Sequence, residues 1–224
     1  IFFAFCSLRC VFCQNHEISR GKFKYAVSTA ELAAIMLELQ RRGCENINLV
    51  TPTHYLPQIV EALAVAAGEG LRLPLVYNCS GYERVESLRL LDGIVDIYMP
   101  DFKYTDENMA RKYSRVSDYP CIAREALKEM HRQVGDLTLD KRGIAFKGLL
   151  IRHLVMPGDM AGTAELMKFV AREISPRSWI NIMDQYYPAY MAYRYPEINR
   201  RITPGEYTAA IAAARESSRE FNLL

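Results

Sequence analysis

The sequence predicts an α/β fold in which parallel strands form a sheet that is covered by helices. Short apolar segments alternate with segments of helical periodicity along most of the 224 residues. The strand segments are apolar at nearly every position, which is typical of parallel sheets that are buried on both faces. The sequence contains no internal repeat, low-complexity stretch or glycine- and serine-rich linker, so we expect a single domain over residues 1–224.

The first strand and the first helix show these signals clearly. Residues 1–5 are apolar and aromatic, as a buried strand would be. The helix predicted over 28–42 begins at a capping box formed by Ser28 and Glu31, and apolar side chains then recur at helical spacing. Gly43 follows and ends the helix.

The same two patterns alternate through the rest of the chain. Apolar runs predict further strands at 47–50, 73–77, 94–99, 149–155 and 179–183. Helical spacing and terminal breakers predict helices at 55–67, 84–91, 106–113, 122–134, 161–174 and 204–221. A closed β/α barrel contains more units than this, so the pattern favours an open, partial (β/α)6 barrel, with a doubly wound sheet as the alternative.

Charge and composition narrow the class of protein. Lysine and arginine number 28 and the acidic residues 26, which leaves a net charge of +2 and no field of one sign that would attract nucleic acid or an anionic membrane surface. The apolar runs are shorter than the ~20 residues that cross a bilayer. Because the chain starts at Ile1, inside an apolar segment, we expect that an N-terminal stretch is missing.

The cysteines are distributed in a way that indicates metal or redox chemistry. Three of the six lie close together, at Cys6, Cys10 and Cys13, and the others are scattered singly. A disulfide framework usually stabilises small secreted domains, whereas a chain of this length can form its own core. We therefore expect a cytoplasmic protein, in a reducing environment, whose clustered thiols bind metal or take part in redox chemistry.

Reactive and polar residues follow the predicted strands. In a sheet of this kind the functional groups lie at the carboxyl ends of the strands, where successive loops meet. The segments at these ends are 6–15, 51–54, 78–82, 101–103, 156–158 and 185–186. Their convergence on one rim predicts an enzyme.

The spacing C-x3-C-x2-C follows the first predicted strand. Three thiolates on so short a loop suit either zinc or an iron–sulfur cluster. A structural zinc site needs a fourth ligand, which His16 would supply. A cluster bound by three cysteines instead keeps one iron without a protein ligand, and that iron is open to a substrate or cofactor.

This spacing, with Phe12 before the last cysteine, resembles the signature of radical S-adenosylmethionine (SAM) enzymes. The run Cys13-Gln14-Asn15 is similar to that of the pyruvate formate-lyase activating enzyme and its relatives. Further segments resemble this group in the same order along the chain, at 51–54, 101–103, 151–158 and 181–186.

The resemblance implies a partial β/α barrel of the radical SAM type. It implies a [4Fe–4S] cluster held by Cys6, Cys10 and Cys13, whose unique iron chelates the amino and carboxylate groups of SAM. The reduced cluster would cleave SAM to a 5′-deoxyadenosyl radical that abstracts hydrogen. The resemblance then implies an electron donor such as flavodoxin or ferredoxin. It is also compatible with a protein substrate, namely a glycyl-radical enzyme. No cysteine follows Cys121, so we expect one cluster.

Residues after the second and third predicted strands are candidates for binding SAM. Thr51 and Thr53 lie where this family usually has a Gly-Gly-Glu type motif. Their hydroxyl oxygens would accept hydrogen bonds from the amino group of SAM. Asn78, Ser80 and Gly81 would contact the ribose or the carboxylate, with a plain turn as the alternative interpretation.

Residues after the later strands complete the predicted cofactor site. Asp101 and Lys103 flank one residue, so in an extended segment they point the same way, towards the ribose and carboxylate of SAM. Arg152 lies inside an apolar strand, where a guanidinium is tolerated only with an anionic partner. Gln185 follows the last strand and is predicted to contact the cofactor.

Three functions remain open from the sequence. The first is an activase that abstracts hydrogen from a glycine of a partner protein. The second is a radical SAM enzyme with an unrelated small-molecule or protein substrate. The third is a non-catalytic zinc or iron–sulfur module. Tyrosines at 186, 187, 190, 193 and 195 are expected to line an open cleft along the same rim.

Overall fold

The computed structural model describes residues 1–22 and 25–224. The strands are β1 (Ile47–Val50), β2 (Leu75–Cys79), β3 (Ile97–Pro100), β4 (Thr138–Leu139), β5 (Ala145–Leu154), β6 (Trp179–Met183) and β7 (Asn222–Leu223). The helices are α1 (His16–Ser19), α2 (Thr29–Arg41), α3 (Leu56–Gly68), α4 (Val85–Arg89), α5 (Glu107–Ser114), α6 (Tyr119–Val134), α7 (Thr163–Phe169) and α8 (Pro204–Ser217). None of these helices is long and apolar enough to cross a membrane.

The strands follow one another across the sheet in chain order. The order is β1-β2-β3-β5-β6-β7, each strand parallel to its neighbour, and β4 pairs antiparallel with β5. In a doubly wound sheet the strand order reverses at a switch point, and the strand order found here has no such reversal. The prediction of a partial β/α barrel is therefore confirmed.

The two faces of the sheet have different partners. Ile47 and Leu49 of β1 pack against α2 and α3 on the outer side. Side chains alternate along a strand, so Val50 faces the inner, concave side, as does Asn78, which pairs with it in register. The inner face therefore carries polar side chains towards the carboxyl ends of the strands.

Local sequence signals define α2 as expected. The Ser28 side chain accepts from the amide of Glu31, and the Glu31 carboxylate accepts from the amide of Ser28 at 2.7 Å. Both halves of the predicted capping box are present, and the helix ends one residue before the predicted boundary.

The predicted strand at 1–5 was wrong in extent. Only Phe2 pairs with β1, through a parallel bridge to Val50. The amide of Phe3 donates to the carbonyl of Val50 at 3.0 Å, and the amide of Val50 donates to the carbonyl of Ile1 at 2.8 Å. The chain then turns at Phe5, which has a φ of +69° that a strand does not accommodate.

The last helix ends earlier than predicted, and a strand follows it. Helix α8 stops at Ser217, and the residue after it is extended. Phe221 is buried in the core, and the amide of Asn222 donates to the carbonyl of Ser178 at 3.1 Å, which places β7 beside β6. This short apolar end reads as part of a helix in the sequence because its pairing partner is distant along the chain.

Candidate functional site

A cavity of about 210 Å³ lies at the carboxyl ends of β3, β5 and β6. Residues from the cysteine loop and from these three strand ends line it: Cys10, Phe12, Cys13, Gln14, Asn15, Asp101, Lys103, Arg152, Leu154, Met183 and Gln185. The structure therefore brings two of the predicted cluster ligands together with four of the predicted cofactor-binding residues.

The loop that carries the cysteines is fixed on both sides by backbone hydrogen bonds. The amides of Arg9 and Val11 donate to the carbonyls of Ser114 and Tyr113, at 3.1 and 2.8 Å. On the other side, the amide of Met191 donates to the carbonyl of Val11 at 2.8 Å. The loop is thus held between the end of α5 and the tyrosine-rich segment that follows β6.

Two aromatic contacts join the tyrosine-rich segment to the cysteine loop. The buried ring of Phe12 packs against Tyr186, with ring centroids 5.7 Å apart. The ring of His16 stacks on Tyr190 at 4.7 Å between centroids, with an angle of 18° between the planes. The segment therefore lies beside the cysteine loop, but none of its five tyrosines is among the residues that line the cavity.

Each clustered cysteine has a hydrogen-bonding neighbour. The amide of Leu8 donates to Cys6 Sγ at 3.4 Å, and the Ser114 hydroxyl donates to Cys10 Sγ at 3.0 Å. The Ser19 hydroxyl lies 3.5 Å from Cys13 Sγ. Donors directed at sulfur are what thiolate ligands of a metal centre need, because they stabilise the charge on sulfur.

Burial opposes ionisation of the Cys6 and Cys10 thiols in the absence of metal. It raises the pKa of the Cys10 thiol to about 11, although Lys103 and the Ser114 hydroxyl act in the opposite direction. Burial also raises the pKa of Cys6, which the Leu8 amide and Lys103 partly offset. A bound metal centre would displace both protons, so cluster binding couples to proton release.

The donor set fits a cluster held by three cysteines. Cys6 and Cys13 each raise the pKa of Cys10 through their charge, so the three thiols are electrostatic neighbours. Within 1–22 and 25–224, no three Cys, His, Asp or Glu side chains converge closely enough to hold one metal ion. In a four-iron cluster each thiolate binds a different iron, which requires sulfurs that are near one another without converging on one point.

The second half of the site is a group of charged residues centred on Asp101. Lys103 Nζ lies 2.7 Å from Asp101 Oδ2, and Arg152 Nη2 lies 2.6 Å from Asp101 Oδ1. Arg152 Nη2 also donates to Asn78 Oδ1 at 2.9 Å. Burial acts to raise the pKa of Asp101, but the two cations outweigh it and hold that pKa below its usual range.

Arg152 has the anionic partner that its position in an apolar strand requires. Its contact with Asp101 Oδ1 is an ion pair outside hydrogen-bond geometry, since that oxygen has no hydrogen-bond partner in the described part of the chain. Arg152 Nε is also buried without a partner among those residues. Because Arg152 lines the cavity, the positive charge of its guanidinium favours an anionic ligand such as a carboxylate there.

The backbone of 101–103 is held by two buried side chains that sequence analysis did not assign to the site. Tyr119 Oη accepts from the Lys103 amide at 2.8 Å, and its one proton lies between the carbonyls of Ser80, at 2.8 Å, and Asp101, at 2.9 Å. His153 Nδ1 lies 2.9 Å from the Phe102 carbonyl, and since a carbonyl only accepts, Nδ1 carries the proton. His153 lies within the family-like segment 151–158 but was not assigned a role there, and no sequence motif marks Tyr119.

The predicted contacts at Ser80 and Gly81 lie outside the cavity lining. Gly81 has a φ of +75°, and a Cβ there would lie 2.4 Å from the Asp101 carbonyl oxygen and 3.3 Å from Tyr119 Oη. The missing side chain thus allows the ends of β2 and β3 to approach one another. Asn78 also lies outside the lining and reaches the site through Arg152.

Thr51 and Thr53 likewise do not line the cavity. Thr51 has a φ of +58°, and its amide donates to the carbonyl of Asn78 at 2.8 Å. The Thr53 hydroxyl donates to Glu83 Oε1 at 2.7 Å. Both threonines therefore support the strand ends, and their predicted contact with SAM stays a prediction.

Glu83 is a buried acid that sequence analysis did not single out. It is 2 % exposed and accepts hydrogen bonds from Thr53 and, at 3.3 Å, from Tyr77 Oη. Burial raises its pKa to about 7, with the hydroxyl donors acting in the opposite direction. In the sequence it reads as an ordinary loop carboxylate, because the residues that bury it come from other strands.

The radical SAM superfamily sequence profile matches residues 1–170. The chain belongs to this superfamily. Radical SAM enzymes use a [4Fe–4S] cluster and SAM, so both predicted cofactors are confirmed.

A related sequence comes from an archaeon. The uncharacterised protein MJ0674 of Methanocaldococcus jannaschii is 32% identical over 226 residues, which cover 96% of this chain and 61% of that protein. The chain therefore spans less than two thirds of the length of this relative.

Solved radical SAM structures share the fold across nearly the whole chain. Streptococcus suis SuiB bound to its precursor peptide SuiA matches with a TM-score of 0.64 at 13% identity, over 100% of this chain and 48% of SuiB. HydG, a maturase of the [FeFe]-hydrogenase, matches with a TM-score of 0.66 at 11% identity, over 99% of this chain and 51% of HydG. The anSMEcpe protein with bound AdoMet matches with a TM-score of 0.56 at 10% identity, over 96% and 58% of the two chains.

Proposed function

We propose that this chain is a radical SAM enzyme of the activase type, which abstracts hydrogen from a glycine of a partner protein. The observation that carries the catalytic part is the shared cavity. It brings cysteines of the C-x3-C-x2-C loop within one pocket of Asp101, Lys103 and Arg152. Cys6, Cys10 and Cys13 hold the cluster in this proposal.

A cluster held by the three cysteines would supply the electron for reductive cleavage of SAM, and the cleaved cofactor would supply the radical that takes hydrogen from the substrate. The residues of the chain bind and orient the cofactor. Lys103 and Arg152, which both line the cavity, bind its carboxylate, and Asp101 fixes both cations in place. Tyr119 and His153 hold the backbone of this segment, which keeps the charges aligned during turnover.

The activase assignment is supported by sequence features that bear on the substrate. The run Cys13-Gln14-Asn15 and the segment Asp101-Phe102-Lys103 resemble the pyruvate formate-lyase activating group. Exposed tyrosines at 187, 190 and 193 lie in the segment that borders the cavity, where a protein chain has access to it. A radical SAM enzyme with another protein or a small molecule as substrate is the second candidate.

The proposed reaction consumes an electron, and we propose that a small acidic carrier such as flavodoxin or ferredoxin supplies it in the cytoplasm. Arg9, Arg115 and Arg194 are exposed and surround the outer side of the cysteine loop. The ion pairs found among the described residues involve none of these three arginines. Unpaired cations around the cluster loop would steer an acidic partner towards it.

The function is tested with anaerobically reconstituted protein. With SAM and dithionite, it should form 5′-deoxyadenosine, and adding the cognate glycyl-radical enzyme should produce a glycine-centred radical signal in electron paramagnetic resonance. Nucleoside formation without a glycyl radical would favour the second candidate function. A tightly bound zinc ion, with no iron and no nucleoside formed, would contradict the enzyme assignment.

A further inference from the structure

A buried pair of hydroxyl groups leads to the sulfur of Cys10. The Ser114 hydroxyl donates to Cys10 Sγ at 3.0 Å, and Tyr104 Oη lies 2.8 Å from Ser114 Oγ. Tyr104 and Ser114 are both fully buried, and Cys10 is 8 % exposed. Neither hydroxyl lines the cavity, so neither takes part in binding SAM as proposed above.

The direction of both hydrogen bonds follows from the state of Cys10. A cysteine that ligates iron is a thiolate and can only accept a hydrogen bond. The single hydroxyl proton of Ser114 therefore points to Cys10, and the Ser114 oxygen must accept from Tyr104. Both hydrogen bonds therefore have one possible direction: Tyr104 donates to Ser114, and Ser114 donates to Cys10.

The three cysteines differ in the donors that face them. Cys6 receives a backbone amide at 3.4 Å. The Ser19 hydroxyl is 3.5 Å from Cys13 and also donates to the carbonyl of His16 at 3.3 Å. Cys10 therefore has the shortest of these contacts, from a donor that is itself polarised by a second hydroxyl.

A hydrogen bond to a ligand sulfur acts more strongly on the reduced cluster than on the oxidised one. Reduction adds negative charge that spreads onto the sulfurs, so a donor stabilises the reduced state more. The effect is larger in a buried site, because little water screens it, and a second donor in series polarises the first. A donor facing a ligand thus raises the reduction potential.

We propose that Tyr104 and Ser114 form a hydroxyl relay that raises the reduction potential of the cluster through Cys10. This inference rests on the proposed function, since it requires the cluster to be bound by Cys10. Ser114 faces a cluster ligand directly, and Tyr104 is a positioning residue that acts through Ser114.

The surrounding structure holds the relay in place. Ser114 is the last residue of α5, and its carbonyl accepts from the amide of Arg9 in the cysteine loop at 3.1 Å. The Tyr104 ring packs edge-on against Tyr119, with centroids 5.7 Å apart. Because both residues are anchored by other contacts, removing either hydroxyl leaves the backbone around the cluster supported.

The test is the midpoint potential of the reconstituted cluster, measured by anaerobic spectroelectrochemical titration without SAM. Ser114→Ala should shift the potential to a more negative value, and Tyr104→Phe should shift it less in the same direction. The double variant should match Ser114→Ala alone, because Tyr104 acts only through Ser114. Ser114→Thr keeps the hydroxyl and should restore a potential near that of the wild type.

Tyr98→Phe is the matched control, since Tyr98 is a fully buried tyrosine whose hydroxyl donates to Gln133 at 2.7 Å and does not face a cysteine. Its potential should equal that of the wild type. An unchanged potential in Ser114→Ala with full iron content would overturn the relay while leaving the proposed function intact. A wild-type protein that binds no iron would instead overturn the proposed function.

Two further outcomes decide the part played by Tyr104. Additive shifts in the double variant would show that Tyr104 acts independently, and would contradict the relay. If Ser114→Ala fails to retain a cluster, Tyr104→Phe decides the question alone, because it leaves every atom in contact with Cys10 in place. An unchanged potential in Tyr104→Phe then rejects the proposal.

Discussion

A Cβ atom on Gly81 would lie 2.4 Å from the carbonyl oxygen of Asp101. The end of β2 therefore meets the backbone of the segment 101–103 at a position where a side chain does not fit. Tyr119 closes the same junction, since its hydroxyl is 2.8 Å from the carbonyl of Ser80 and 2.9 Å from that of Asp101. The placement of Asp101 thus depends on a residue that does not line the cavity.

We predict that Gly81→Ala displaces Asp101 and weakens SAM binding. Gly43→Ala is the control, because Gly43 has a similar φ of +77° and a Cβ added there would meet no described atom within 4 Å. Both variants incur the left-handed backbone cost of about 1–2 kcal/mol. Gly81→Ala should lose about 1–3 kcal/mol more, from the overpacked contact. Equal unfolding free energies and unchanged SAM affinity for Gly81→Ala would contradict the close approach.

We predict that Cys10→Ala abolishes the cluster. The reconstituted wild-type protein should contain about four irons per chain, and the variant should lose them with their visible absorption. Cys121→Ala is the control, because that thiol is exposed and lies outside the cysteine loop. Iron analysis gives the answer directly, and full iron content in Cys10→Ala would reject the ligand assignment.

We predict that Lys103→Met weakens SAM binding at least about tenfold, which corresponds to about 1.4 kcal/mol. The substitution keeps the length of the side chain but removes the cation that, in the proposed function, binds the carboxylate of the cofactor. Lys147→Met on the exposed side of β5 is the control. Equilibrium dialysis with the reconstituted proteins measures the affinity, and the same dissociation constant in both variants would refute the role of Lys103.

We predict that Glu83 makes the stability fall as pH rises. Burial raises its pKa to about 7 from an unfolded value of 4.5, so between these values the folded state holds a proton that the unfolded state has released. The unfolding free energy should therefore decrease by up to about 3 kcal/mol as the pH rises through this window. Above the window it should stay level. Glu83→Gln should remove the decrease, as measured by urea unfolding at pH 5 and pH 8. The same slope in both proteins would show that Glu83 is not its source.

We predict that reversing the charges at Arg115 and Arg194 impairs electron delivery. The double variant with Arg115→Glu and Arg194→Glu should form 5′-deoxyadenosine several-fold more slowly with flavodoxin as donor, because electrostatic steering is lost. The rate with dithionite should not change, since the cavity is untouched. Arg219→Glu, an exposed reversal away from the cysteine loop, is the control. Equal slowing with both reductants would place the defect in the cluster site instead of the docking surface.

Local sequence signals were sufficient for most secondary structure and for the cofactor class. The strands at 47–50 and 179–183 and the capping box at Ser28 were predicted from neighbouring residues alone, and each was found as predicted. The cysteine spacing also lies within one short loop and limited the site to zinc or an iron–sulfur cluster, and the resemblance to radical SAM enzymes then implied the cofactors. Patterns of this kind depend on contacts between residues that are close in the chain.

Contacts between distant segments were decided only by the tertiary structure. Ser114 and Cys10 are 104 positions apart, and the strand β7 exists only because β6 lies beside it. Thr53 and Ser80 were also predicted to contact the cofactor, and the fold places both outside the cavity lining, so for them this contact stays a prediction. The sequence by itself determined which chemical groups are present at the strand ends. Which of them share a cavity depends on the twist and register of the sheet, and no local pattern encodes that geometry.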